Sequence, residues 1–274
     1  MRIAVVLFLA SLPAHSEDPL EIVRKSVHHD QSNWLKAKDY TYIVHSGMRR
    51  RDSHGRTTKV EQRTEEVLIL FGEPYERLIA KDGKPLSDSE ARKEQQKLDR
   101  LMEKRASESP GQRRKRLAER DRERQENRRF LEEVPEAYTF RLLGEDVIGG
   151  RSCWRLEADP RPGYQPKHSR AAMLKKFRGR VWVDKQEYQL TRLDVEAIDT
   201  VTWGLFLARL AKGSRLFIEQ RRVNGEVWMP YRIQVDLDAR LALFKRVQGE
   251  LTVSFENFRK FQTDSRIVEA AGLK

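Results

Sequence analysis

One cysteine, Cys153, is all that the 274 residues contain. An internal disulfide is therefore excluded, and no Cys/His zinc pattern exists. Within "RSCWRLEA" that thiol is expected to be a small buried strand residue. Catalytic signatures are missing as well: there is no G-x-S-x-G, no Walker loop and no H-E-x-x-H. The six histidines are scattered, and the adjacent His28 and His29 would point to different sides of a helix, so no metal site is expected. Asp236 and Asp238 share a strand face, where two solvent-facing carboxylates are a simpler reading than an acid–base pair. The chain is thus expected to be no enzyme, with no cofactor and no metal. Long apolar runs are absent too. Only Ile3–Leu12 is strongly apolar, and it is too short to span a bilayer.

Charge is plentiful. Lys and Arg exceed Asp and Glu to give a net charge of +12, and 35% of the residues are charged against 38% hydrophobic. Such a balance attracts anions: nucleic acid, lipid headgroups or acidic proteins. The opening "MRIAVVLFLASLPAHSED" narrows the choice. Arg2, the apolar run and the small residues Ala14 and Ser16 have the order of a secretory signal, expected to be cleaved after about Ser16. With no cysteine at that site to acylate, the mature protein is expected to be soluble and periplasmic, without a lipid anchor, and a monomer. An exported protein rarely meets nucleic acid, and the aromatics do not interleave with the basic run as a stacking platform requires, so no nucleic-acid role is expected.

The mature chain, 17–274, opens on a helix signal. Asp18 suits the N-cap, Pro19 the first helical position, and Glu21 completes a capping-box-like pattern. Leu20, Val23, Val27 and Trp34 recur at helical spacing. Alternating strand patterns follow to about residue 86, with Asp82-Gly83 as a turn. From Ser87 to about Glu133 the chain is almost wholly charged and rich in helix formers, and Pro110-Gly111 divides it. This is expected to be a helical hairpin, or two helices, projecting from a β domain and lightly anchored by a few apolar residues such as Leu101, Phe130 and Leu131. Its basic stretch from Gln112 to Arg129 is a contact for an anionic membrane surface or an acidic protein, or, more simply, a solvated helix face. Strands then resume. Turns at Gly149-Gly150 and Asn224-Gly225 bring the total to about ten antiparallel strands in a meander.

Two features bear on function. The hairpin "RVWVDKQEYQLTRLDVE" has one clean apolar face (Val181, Val183, Leu193, Val195) and one mixed face carrying Trp182, Tyr188 and Leu190. Two further stretches, "TVTWGLFLARLAKG" and "ARLALFKRV", are apolar where loops or short helices are expected. An apolar loop marks a binding site or a lid folded into a cavity.

These residues resemble a known family. "GRSCWRLEADP", "RGRVWVDKQEYQLTRLDVE" and "VNGEVWMPYRIQV" are similar, in order and spacing, to the recurrent hairpins of LolA/LolB-like outer-membrane lipoprotein-sorting proteins. The resemblance covers the mature chain outside the charged insertion at about 87–133. It implies a mainly β (α+β) fold: an unclosed antiparallel β-barrel with helices in or over its concave face. It implies a soluble periplasmic carrier that shields lipoprotein acyl chains, or related lipids, on the way to the outer membrane. Regulation of envelope signalling through a partner protein, docked by the basic insertion, is the alternative that the same superfamily implies. On the carrier reading the cavity residues expected are Trp203, Phe206, Leu207, Leu210, Leu243 and Phe244, with Val27 and Trp34 of the first helix as lid contacts.

Overall fold

The computed structural model describes residues 17–203, 208–241 and 245–261. Residues 1–16, on which the signal reading falls, lie outside them, as do Phe206, Leu207, Leu243 and Phe244. No helix among the described residues is long and apolar enough to cross a membrane.

Helix α1 spans Pro19–Ala37. The Asp18 carboxylate accepts from the Leu20 amide at 3.1 Å, satisfying one of the unpaired donors of the first turn. Glu21 does not close a capping box. Its carboxylate pairs with Arg24 one turn along instead, at 2.5 Å. Ile22, Val23 and Ser26 form the buried stripe.

The rest of the frame is antiparallel sheet. It comprises β1 (Tyr40–Arg51), β2 (Thr57–Leu70), β3 (Glu73–Lys81), β4 (Lys84–Pro85), β5 (Tyr138–Ile148), β6 (Arg151–Pro160), β7 (Phe177–Asp184), β8 (Leu190–Ala197), β9 (Val201–Trp203), β10 (Ala208–Leu210), β11 (Arg215–Val223), β12 (Val227–Leu241) and β13 (Lys245–Lys260). The count exceeds the ten expected from sequence because β4 has only two residues and because Val201–Trp203 and Ala208–Leu210, within a stretch expected to be a loop or short helix, form the short pair β9–β10. The order is β4-β3-β2-β1-β13-β12-β11-β8-β7-β6-β5, with β10 added on β12. Most neighbours are consecutive hairpins. Asn224 and Gly225, at φ 50° and 67°, make the turn that the Asn-Gly pair predicts.

Pairing of the first long strand with the last, β1 with β13, joins the N- and C-terminal meanders into one curved sheet. The sheet does not close. Its free edges are β4 and β5, and the chain linking those edges is the charged insertion. That insertion forms α2 (Asp88–Ala106), α3 (Pro110–Glu132) and a single turn α4 (Val134–Ala137). Ser87 with Glu90, and Ser109 with Gln112, build complete capping boxes at the starts of α2 and α3. Lys81 and the Ser87 donors bring the Glu90 carboxyl down to about 2.

The elbow of the hairpin is held by charge. Glu73, at the start of β3, receives Arg105 at 3.2 Å, Arg120 at 3.1 Å and Arg116, which also meets Glu108 at 2.8 Å. Neither helix buries a residue fully, in keeping with a lightly anchored hairpin. The last turn of α3 is the exception to solvated character: Phe130 packs toward the Tyr138–Leu174 cluster.

The dense core lies at one end of the sheet. Ile22 and Val23 of α1 pack on Trp154, Leu156 and Val183. Beside them Tyr138, Ala158 and Tyr164 pack with Ala171 and Leu174 of the 3-10 segment Ser169–Lys176. Cys153 is fully buried with Ile148 and Trp182, and burial pushes its thiol pKa up, as expected of an inert structural thiol.

Candidate functional site

Along β8, β11 and β12 the inward side chains are apolar yet only half-buried. Leu193, Val195, Leu216, Val235 and Leu237 all keep accessible surface. A packed core would bury them; here they wall a cavity of about 560 Å³ between the concave face of the sheet and the helices. That volume is typical of a small-molecule site, about 300–1,000 Å³.

Register explains how the wall is built. Gly179 faces Val195, Val195 faces Leu216, and Leu216 faces Val235, so one row crosses β7, β8, β11 and β12. Every member of that row lines the cavity. Gly179 is required by proximity. A Cβ there would lie 2.1 Å from the Asp194 carbonyl oxygen, so only glycine lets β7 and β8 approach while leaving the row hollow.

The clean face of the hairpin, Val181, Val183, Leu193 and Val195, lines this cavity. The mixed face divides. Trp182 turns outward, donates its indole N–H to Asp146 at 2.7 Å and lies under the Arg192 guanidinium. Leu190 was expected beside it but lines the cavity. A register shift at Trp182/Val183 pairs Val183 with Leu190, and the extra residue flips its side chain to the other face. Tyr188, at φ 53° in the turn, leaves the sheet pattern altogether and stacks near Trp154, 5.2 Å between ring centroids.

Helix α1 roofs the cavity and is pinned at several points. The Tyr188 hydroxyl donates to Glu17 at 2.6 Å, and the Gln189 amide donates to the His29 carbonyl at 2.9 Å. Asn33 exchanges two hydrogen bonds with the Trp228 backbone, at 2.8 and 2.7 Å. Val23, Ser26, Val27 and Asp30 recur on one helical face, and all four line the cavity. Burial pushes the Asp30 carboxyl pKa up. Phe130, Leu131 and Val134 complete the wall from the insertion side.

The residues singled out from sequence fall in different places. Val27 and Leu210 line the cavity. Trp34 sits further along α1, 38% exposed, with the Arg124 guanidinium 4.1 Å from its ring centroid, where it ties α1 to α3. The backbone of Trp203 ends β9. Phe206, Leu207, Leu243 and Phe244 are outside the described residues. Sequence reasoning passed over most of the wall, such as Leu216, Val235 and Leu237. Their alternation in β11 and β12 was the available signal, but it reads equally as ordinary core.

A second hollow, about 610 Å³, lies between β2–β3 and α2. Its lining mixes apolar side chains such as Leu70, Leu78 and Leu101 with Glu65, Glu73, Glu94, Lys97 and Arg105, so it is a charge-lined cleft less suited to an apolar guest. Among the described residues no group of three or more His, Cys, Asp or Glu side chains is arranged to hold a metal ion.

No protein-family model matches the sequence, and no curated protein matches it. Solved structures do. A DUF1329 family protein from Desulfovibrio piger aligns over 91% of this chain and 95% of its own, at 13% identity and a TM-score of 0.32. The chain is similar to LolA-superfamily structures. One of these, from Nitrosomonas europaea, aligns over 89% of this chain and 93% of its own, at 9% identity and a TM-score of 0.28. The lipoprotein LppX from Mycobacterium tuberculosis aligns over 87% and 93%, at 8% identity and a TM-score of 0.25.

Proposed function

We propose that this protein is a carrier that holds acyl chains of lipoproteins, or related lipids, in the cavity under α1 and moves them through the periplasm toward the outer membrane. The observation behind the reading is the half-buried apolar wall on β8, β11 and β12. Apolar surface left accessible inside a fold is costly unless a guest covers it. At ~30 Å³ for each water-sized group, the cavity holds roughly 18 methylenes, the length of one long acyl chain. Each methylene moved out of water contributes about 0.8 kcal/mol, which is why such chains need a shield to cross an aqueous gap. The action is binding and release; no bond is made or broken.

The test is direct. Protein purified from an exporting host is analysed by native mass spectrometry and by lipid extraction. Co-purifying acyl lipid in about one-to-one ratio, displaced by a fluorescent acyl probe, supports the carrier. Protein free of lipid that also ignores the probe refutes it.

A further inference from the structure

The cavity wall holds two charged side chains among its described residues, Asp30 and Arg215. They are not alike. Arg215 is exposed at the first position of β11, and its register neighbours are Glu196 on one side and Asp236 on the other. Its charge is hydrated and lies between two acidic positions.

Asp30 is different. It lies on the inward face of α1, one turn beyond Ser26, with only part of its surface accessible. Among the described residues its carboxylate has no hydrogen-bond or ion-pair partner, while nearly every other acidic group near α1 has one. Glu17 meets Lys25 and Tyr188; Glu21 meets Arg24. Buried Ser26, on the same helical face as Asp30, and buried Gln189, whose amide meets the His29 carbonyl, line the cavity with it, while β8, β11 and β12 present Leu193, Val195, Leu216, Val235 and Leu237. A carboxylate turned into an apolar hollow without a partner is costly, and the cost is offset when a ligand brings the complementary charge.

We propose that Asp30 is the head-group determinant of this cavity, and that the preferred guest is an amphiphile bearing a protonated amine where its acyl or alkyl chain ends. The ammonium donates to the Asp30 carboxylate while the chain runs along the Val195–Leu216–Val235 wall. The inference rests on the carrier reading above, and it adds the chemistry of the head. It also runs against the overall charge. At +12 the protein as a whole favours anionic amphiphiles, so a preference for a cation has to come from a local group.

The experiment compares three probes of equal chain length, dodecylammonium, dodecanol and dodecanoate, by displacement of a fluorescent acyl probe from the full-length protein at neutral pH and 0.15 M salt. Wild type is expected to bind dodecylammonium at least 10-fold more tightly than dodecanoate. Asp30→Asn should bring that ratio near one and leave dodecanol within twofold, and Glu21→Gln, which removes a carboxylate of α1 that does not line the cavity, should leave the ratio in place. Neutralising an unpartnered carboxylate relieves a desolvation cost, so Asp30→Asn is expected to melt at or above the wild-type temperature. Should it instead unfold, Asp30→Ser provides the same comparison. Equal or tighter binding of dodecanoate by wild type overturns the assignment, as does a preference that survives Asp30→Asn. Binding of dodecanol and dodecanoate without an ammonium preference sinks this inference and leaves the carrier standing; no binding of any probe removes both.

Discussion

Val195 sits in the middle of the row that crosses four strands, with Gly179 on one side and Leu216 on the other. Replacing it by phenylalanine adds about four side-chain carbons to the cavity wall, where Val195 is only half-buried. If the cavity holds one chain of roughly 18 methylenes, affinity in a series of n-alkyl ligands should rise by about 0.8 kcal/mol per methylene, or about fourfold. It should then level off as the chain fills the hollow. In Val195→Phe the same slope should hold at short lengths, and the plateau should arrive about four carbons earlier. Ligands longer than the new limit should lose on the order of 3 kcal/mol, over 100-fold, relative to wild type. The assay is competitive displacement of a fluorescent acyl probe across chains of 8 to 20 carbons, with circular dichroism and melting temperature as controls for the sheet. An unchanged plateau in a folded variant would refute the placement of the chain along this row. A wild-type affinity independent of chain length would refute the cavity as an acyl site.

Other consequences are simpler to read. Leu210→Asp puts an unpartnered carboxylate on the apolar wall and should weaken acyl-probe binding at least 10-fold with the β-sheet dichroism retained. Gly179→Ala should lower stability by about 1–3 kcal/mol in denaturant titration, because its Cβ would meet the Asp194 carbonyl at 2.1 Å. Asp184 is fully buried. Burial alone would raise its pKa, but the paired Arg151 guanidinium at 2.6 and 2.8 Å and the amides of Gln186 and Glu187 hold it below the ordinary value. A depressed carboxyl stabilises the fold above its unfolded pKa of about 3.9 and stops doing so as pH falls through the lower folded value. Asp184→Asn should therefore be destabilised by about 3 kcal/mol at pH 7, and its deficit against wild type, followed by thermal melts, should shrink below about pH 4.

Much of the fold was legible because its signals are local. The N-cap Asp18 with Pro19, the Asn224-Gly225 turn, and the break at Pro110-Gly111 each depend on residues within one turn of chain. The two-residue period of Val181, Val183, Leu193 and Val195 likewise marked one continuous apolar face. What failed did so for non-local reasons. Leu190 was expected with Trp182, but the register shift depends on how β7 and β8 pair, and strict alternation does not contain it. Val201–Trp203 and Ala208–Leu210 looked like parts of an apolar loop or short helix because three-residue strands are too short for alternation to show; β10 exists through its pairing with β12.

The cavity belongs to the second kind. A row such as Val195, Leu216 and Val235 has the composition of a core, and composition does not say whether a partner layer covers it. That depends on the curvature of a sheet joined by β1 against β13, residues about 200 positions apart, and on α1 being pinned at Glu17, His29 and Asn33 above it. Asp30 shows the same division. In sequence it is one acidic residue on a polar stretch of helix. Only the packing of α1 over the hollow turns it away from water and toward a place where a ligand's charge would count. Sequence alone thus determined the elements, their turns and the charged interruption, since each is decided by short-range sterics, capping and periodicity. The tertiary structure decided which apolar face stays hollow and which polar group looks into it, since both follow from long-range pairing and curvature.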